Sequence, residues 1–375
     1  MRRVTSLVAV VATATLALAG CSSSSSGGTS TTPSASTAAT SAAATDTASA
    51  SAAATDSASA SAAPAAGSVK VGLAYDIGGR GDKSFNDAAA AGLDKAVSDL
   101  KVDKKELEAS AGEKDAQKEE RLRLLAQGGY NPVIAIGFAY APALGKVAKE
   151  FPNTKFAIVD DASITLPNVT PLVFAENQGS FLVGVIAAQA SKSGNIGYIG
   201  GVLTPLLQKF EAGYVAGAKA VNKDIKVQVK YLTQPPDFGG FNDPAKGKTV
   251  AQGMLDAGAD VVYAAAGGSG SGAFQAVAAA KKLAIGVDSD QYLTAAAGVK
   301  SVILTSMLKR VDVAVFNEIK SFVDGAPLSG VQTFDLKVDG VGYATSNDIV
   351  KPFTAMADQW KAKIVSGEIT VPDKP

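Results

Sequence analysis

The sequence predicts an α/β body of two lobes, each built on a parallel sheet, behind a separate N-terminal segment. Three observations carry this. From Val69 to Val365 short apolar runs alternate with helical patterns, the signature of right-handed βαβ units. The body spans about 300 residues, more than one hydrophobic core usually serves. Aspartates, glycines and an aromatic recur just after the apolar runs, where open α/β sheets bind their ligands.

The chain begins with Met1-Arg2-Arg3, a positive start, and continues with the apolar stretch Val4 to Leu18. Leu18-Ala19-Gly20-Cys21 closes this with small residues before a cysteine. The arrangement resembles a bacterial lipoprotein signal peptide over residues 1–20, with Cys21 as the acylated first residue of the cleaved chain. A plain secretory signal has the same first two regions. Cys21 is the only cysteine of 375 residues, and lipidation accounts for that lone thiol in an exported protein. The apolar run is too short for a comfortable membrane span.

Residues 21–67 are almost wholly Ser, Ala, Thr and Gly after the cysteine, and Ser41–Ala50 and Ser51–Ala60 repeat one decapeptide. Such a composition buries too little apolar surface to offset the entropy of ordering it, so it reads as a solvated tether. Its root-mean-square span as a flexible chain is roughly 40 Å.

Val69, Val71 and Leu73 open the body at residue 68 as a short strand ending at Asp76. Gly78, Gly79 and Gly81 then turn the chain. Ser84 stands as the expected N-cap of the next helix, with Asp87 completing a weak capping box. Further strands are expected at Val133–Phe138, Phe156–Asp160, Pro171–Phe174, Asn195–Gly200, Lys226–Leu232, Asp260–Ala264, Ala284–Asp288, Val302–Ser306 and Thr333–Val338. Helices are expected at Glu113–Gln127, Ala141–Lys149, Gln178–Ser191, Gln208–Val221, Ala245–Ala257, Gly272–Lys282, Val311–Val323 and Pro352–Val365.

Composition excludes much chemistry. Lys and Arg total 35 and Asp and Glu total 35, so no basic footprint points to nucleic acid. Histidine is absent, which removes Ser-His-Asp and Cys-His catalysis and the commonest general base. The residues at the strand ends are Asp76, Gly137-Phe138, Asp160-Asp161, Gly200-Gly201, Gly267-Gly268, Asp288 and, beyond Ser306, Lys309. Any single aspartate there is more often turn chemistry. Their recurrence at several ends is what a polar small-molecule cleft needs. The run Gly267 to Gly272 lacks the Gly-Lys-Ser/Thr ending of a phosphate loop and fits a tight turn near a neutral ligand better. Asp160-Asp161 and Asp288-Ser289-Asp290 make no convincing catalytic or metal set without histidine. Hydrogen bonding to hydroxyls or a base edge suits them better.

Val71-Gly72-Leu73-Ala74-Tyr75-Asp76 followed by Asp82-Lys83-Ser84-Phe85-Asn86 resembles the signature of the BMP (basic membrane protein, PnrA-like) substrate-binding lipoproteins. The likeness continues through Phe156–Asp160, Gln178–Gly184, Gly197–Gly201, Phe210–Tyr214, Gly258–Val262, Ile285–Gln291 and Thr305–Lys309, in order, across nearly all of 69–365. It departs at Thr233–Phe241, where TQPPDFGGF is longer than usual, and at a short link between Lys282 and Ala284.

The resemblance implies a type I periplasmic-binding-protein fold, two Rossmann-like lobes joined by three crossovers. Lobe 1 would take 69–174 plus 302–325, and lobe 2 would take 175–301 plus 326–375. Hinges would lie near Phe174–Asn177, Lys300–Thr305 and Gly325–Gly330. It also implies a monomeric capture component of an ABC importer, working with permease subunits, held to the outer face of the cell membrane by its lipid, without cofactor, metal or nucleic acid. Characterised members bind purine nucleosides. By motif, Phe85 and Phe210 would sandwich the base, and Asn86 and Asp160 would bond its edge. Asp288 and Lys309 would hold the ribose, while Asp76, Ser84 and Gly268 line the cleft. Without the family, Phe85 reads equally as core and Lys309 equally as a solvated charge. Capture or sensing of another small polar ligand, such as a sugar, stays open beside this, and a nucleoside hydrolase stands further off.

Two acyl chains on one cysteine anchor stably where a single chain holds only marginally. Cys21→Ser is therefore expected to release the protein to the medium or leave it unprocessed. Fractionation of cells carrying the variant checks this, and membrane retention of a normally cleaved Cys21→Ser protein would overturn the anchor.

Overall fold

The computed structural model describes residues 69–375. The expected signal peptide, Cys21 and the tether lie outside the described residues. The chain order is β1 (Lys70–Ala74), α1 (Phe85–Leu100), β2 (Asp103–Leu107), α2 (Asp115–Gln127), β3 (Val133–Ala135), α3 (Ala141–Glu150), β4 (Phe156–Val159) and β5 (Val169–Phe174). There follow α4 (Glu176–Ala190), β6 (Asn195–Val202), α5 (Pro205–Val221), β7 (Lys226–Thr233), α6 (Pro244–Asp256), β8 (Val261–Ala265), α7 (Gly270–Ala279) and β9 (Leu283–Asp288). The remainder is α8 (Gln291–Thr294), α9 (Ala297–Lys300), β10 (Ile303–Lys309), α10 (Val311–Val323), β11 (Gln332–Phe334), β12 (Val341–Tyr343) and α11 (Lys351–Val365).

Two six-stranded sheets result, in the orders β11-β5-β4-β3-β1-β2 and β12-β10-β9-β8-β6-β7. Every pairing is parallel except the antiparallel β10–β12 pair. Helices cover the sheet faces, so central strands are apolar on both sides; Val71, Leu73, Ile134, Ala157, Val159, Ile196 and Ile285 are all fully buried. The expected two-lobed α/β architecture is observed. Each sheet carries the same order with its reversal between first and third strands, β1/β3 in one lobe and β6/β8 in the other. At such a switch point neighbouring crossovers leave the sheet on opposite faces and open a crevice.

The lobe boundaries differ from the expectation. β10 pairs with β9 and β12, so 303–309 belongs to the second lobe, while β11 pairs with β5 and belongs to the first. The chain therefore crosses at Phe174–Glu176, Lys309–Val311 and Phe334–Val341, and the hinges expected at 300–305 and 325–330 move accordingly. α10 lies against α1 in the first lobe although the strand before it lies in the second. Apolar periodicity marks a strand and a helix but carries no label for the sheet they join. Two strands escaped the sequence reading for a related reason. β2 is DKKEL, an edge strand whose charges face solvent. β12 is three residues at the opposite edge.

α4 and α5 pack backbone to backbone in the second lobe. A Cβ at Gly213 would stand 2.1 Å from the Asn177 carbonyl oxygen, and one at Gly217 would stand 2.0 Å from that of Phe181. The crossing helix that starts at the first hinge is thereby locked to the second lobe.

One buried group has no counterpart nearby. Glu318, on α10, is fully buried and neither carboxyl oxygen has a hydrogen-bond partner. Burial pushes its carboxyl up to about 8. Between its unfolded value near 4.5 and this folded one, the native state holds one proton more than the unfolded chain. Stability then falls as pH rises through that window, by about 1.4 kcal/mol per unit. Glu318→Gln is expected to remove this slope: similar melting temperatures at pH 5, and a more stable variant at pH 8.5. Parallel melting curves across that range would show that Glu318 does not titrate as described.

Candidate functional site

The site is assembled where the two switch points face each other. In the first lobe β1 ends into Asp76 and β3 into Gly137. Gly137 has a φ of 106°, and a Cβ there would stand 2.3 Å from Asp76 Oδ2. Only glycine leaves room for that carboxylate. Asp76 Oδ1 accepts from the Ile77 N–H at 2.8 Å, and its own N–H donates to Asn86 Oδ1 at 3.1 Å. Burial pushes Asp76 up to about 6.

The start of α1 is built differently from the expected capping box. Ser84 makes no side-chain cap. Asp82 takes the role: its carboxylate accepts from the N–H groups of Ser84, Asn86 and Asp87 at 2.9–3.1 Å. Asp87 reaches back to accept from Gly81 and Lys83. Freed from capping, the Ser84 hydroxyl lies 2.6 Å from Asp288 Oδ2, to which it donates across the cleft. Gln291 also donates to the Lys83 carbonyl at 3.0 Å, and the Ser289 hydroxyl to that of Ser84 at 2.9 Å. The lobes are thus clasped at the N-terminus of α1.

Toward the crossovers lies a buried charge cluster. Lys309, at the end of β10, is 2% exposed and pairs with Asp160 at the end of β4. Its ammonium stands 4.0 Å from Glu176 Oε1 at the start of α4. It also lies 4.7, 5.2 and 5.7 Å from the ring centroids of Phe85, Phe174 and Phe210. Burial draws Lys309 toward its neutral form, but Asp160, Glu176 and Asp288 outweigh that and hold the ammonium above its ordinary value. Burial raises Glu176 to about 7 and Asp288 to about 6, with Lys309 opposing both. Asp160 and Asp288 have φ of 71° and 64°, left-handed conformations that aim their side chains inward from the strand ends. Asp160 Oδ1 is buried with no hydrogen-bond partner.

One cleft of about 560 Å³, mouth included, brings together Asp76, Phe85, Asn86, Asp160, Phe210, Asp288 and Lys309. Ser84 is not on its wall but behind it, holding Asp288. Gly268 is set back beside Asn242 and Asp82, and Gly267 lines the cleft in its place. The Asn86 amide is spent within the lobe, since Nδ2 donates to Asp82 and to the Ile77 carbonyl. Phe138, Leu206, Leu207 and Phe241 also line the cleft. Of these, Phe138 was visible at a strand end, whereas Phe241 arrives from the unusual loop after β7, which no periodicity places. Asp161 turns outward to accept from Ser163, so the adjacent aspartates serve different purposes. Among the described residues no three His, Cys, Asp or Glu side chains converge as metal ligands would.

The family model for Bmp, the PnrA-like ABC transporter substrate-binding proteins, matches residues 69–375. The chain belongs to this family. A Lactococcus lactis relative named as the ABC transporter nucleoside-binding protein BmpA is 35% identical over 322 residues, covering 82% of this chain and 90% of that one. A Pyrococcus abyssi relative named as an uncharacterised lipoprotein is 37% identical over 305 residues, covering 78% and 73%. The solved ABC transporter solute-binding protein of Aeropyrum pernix superposes with a TM-score of 0.71 at 31% identity, covering 81% and 94%. The PnrA-like chain therefore has the type I solute-binding fold and is the substrate-binding component of an ABC transporter. Among its described residues no helix is long and apolar enough to cross a membrane.

The charge cluster makes a stability prediction. Among the described residues Lys309 is the cation that reaches both acids; removing it leaves the buried Asp160 uncompensated and Glu176 with Lys209 alone, 3.5 Å from its Oε2. Lys309→Met is expected to lose about 3–5 kcal/mol at pH 8 by urea denaturation. The loss should shrink at pH 5, where Glu176 is protonated. A loss below about 1 kcal/mol at pH 8 would mean that the acids do not depend on Lys309.

Proposed function

We propose that this protein captures purine nucleosides in the interlobe cleft and hands them, unreacted, to an ABC permease. Held outside the cytoplasmic membrane by a lipid on Cys21, it acts as a monomer without cofactor. The observation that carries the reading is the aromatic slot. Phe85 from the first lobe and Phe210 from the second both flank the Lys309 ammonium, with Asp160 and Asp288 beside it. Aromatic faces suit a flat heterocycle, and the carboxylates suit hydroxyl and ring N–H donors. The name of the Lactococcus relative points the same way. Nucleoside hydrolysis finds less support, since the acids here are tied to Lys309 and Ser84 rather than free for a metal or water.

The acids outnumber the cations on the cleft wall, Asp76, Asp82, Asp160 and Asp288 against Lys309. A phosphate dianion would lose its water without adequate replacement, at a penalty of several kcal/mol. Isothermal titration with adenosine, guanosine, inosine, adenosine monophosphate and ribose is expected to show tight binding of nucleosides only. Asp288→Ala should cost about 1–3 kcal/mol through a lost acceptor, and Phe85→Ala a similar amount through lost stacking. Affinity should fall as pH drops through about 6, where Asp288 gains a proton and ceases to accept from two hydroxyls. Ribose or the monophosphate binding as tightly as the nucleosides would overturn the reading in favour of a sugar or anion site.

A further inference from the structure

The cleft does not end at Asp76. A second interlobe cavity of about 580 Å³, mouth included, shares Asp76 and Ile77 with it. This chamber runs between the segment after β2 and the Pro236–Gly239 loop of the second lobe. That loop lies within the stretch that departs from the family pattern. It is internally braced: the Thr233 hydroxyl donates to the Asp237 carbonyl at 2.6 Å, and the Gly239 N–H to Asp237 Oδ1 at 2.8 Å. The bracing presents Phe238 as a roof, edge-on to Phe138 at 5.9 Å.

Lys118 of α2 faces this chamber although it is only 7% exposed. Its ion-pair partner among the described residues is Asp115, at 3.7 Å, beyond hydrogen-bond reach. The neighbouring Glu113, which also lines the chamber, is paired with Arg121. The ammonium therefore faces the cavity with no side-chain hydrogen-bond partner among the described residues.

We propose that this chamber is an extension subsite of the cleft. It admits a substituent on the base edge of a purine nucleoside, several heavy atoms long and ending in an uncharged hydrogen-bond acceptor that Lys118 engages. The proposal rests on the nucleoside reading. With Asp288 and Lys309 at the ribose end, the base edge faces Asp76 and the chamber beyond it. Phe238 and Ala139 give apolar walls for linking carbons. Asp76, Glu113 and Asp237 against a single lysine disfavour a carboxylate there.

The test is isothermal titration of the ligand-freed full chain with adenosine, N6-(2-hydroxyethyl)adenosine and N6-(carboxymethyl)adenosine. The hydroxyethyl derivative is expected to bind within about threefold of adenosine and the carboxymethyl one about tenfold or more weaker. Lys118→Met should weaken the hydroxyethyl ligand about fivefold while leaving adenosine within about twofold. Ala139→Phe, which fills the chamber from the side, should exclude the hydroxyethyl ligand and keep adenosine. If adenosine binds but its hydroxyethyl derivative is excluded from the unaltered protein, or if Lys118→Met weakens both equally, the subsite is refuted and the nucleoside reading stands. If no nucleoside binds, both fall together.

Discussion

The buried ammonium of Lys309 is the constraint on which the rest of the site depends. It stands at the second crossover, faces Glu176 at the first, and pairs with Asp160 from the opposite lobe. Burying a charge without compensation is prohibitive, so the three groups must stay together. Their meeting point fixes how the crossovers lie beside each other. The rings of Phe85, Phe174 and Phe210 surround the same ammonium, and each comes from a different element. Ion pair and aromatic slot are one arrangement. A change that moves Lys309 disturbs both.

The two lobes repeat one topology, and this supplies the cleft with two crevices instead of one. Each lobe alone would offer loops at a switch point and an open face. Apposed, they place the carboxylates of β1 and β4 opposite the carboxylate of β9 and the ammonium of β10. The repeat also explains why so many strand ends carry polar or glycine residues. Asp76, Gly137, Asp160, Gly267, Asp288 and Lys309 are walls of the same cavity.

Much of this was legible in the sequence because it is local. Strand followed by Asp or Gly followed by helix is a pattern read within some twenty residues, and Asp76, Asp160, Asp288 and Lys309, picked out at strand ends, line the cleft. What was not legible depends on pairing between distant segments. Nothing in ILTSMLK says that it lies beside β9 rather than in the first sheet, so the lobe boundary was drawn on the wrong side of β10. Ser84 sits at a cap position by spacing, yet Asp82 is better placed to take all three N–H groups, which releases Ser84 to Asp288 some 204 residues away. Phe241 enters the site only because Gly201 and Gly240 let its loop lie flat on β6.

The same details bear on why ligand and closure go together. Among the described residues the direct contacts across the cleft include the Ser84 hydroxyl on Asp288 and on the Val287 carbonyl, two side chains on the carbonyls of Lys83 and Ser84, one edge-on aromatic pair and the Lys309–Asp160 ion pair. Each neutral hydrogen bond contributes only about 0.5–1.5 kcal/mol net. In the structure Asp160 Oδ1 is buried without a donor, and burial raises Asp76 and Asp288 to about 6. On the proposed reading these are the groups that donors on a bound ligand would satisfy. Satisfying them with the lobes together would supply the differential affinity that shifts the equilibrium. The acids proposed to select the ligand would then also be the ones that keep the unliganded cleft from staying shut.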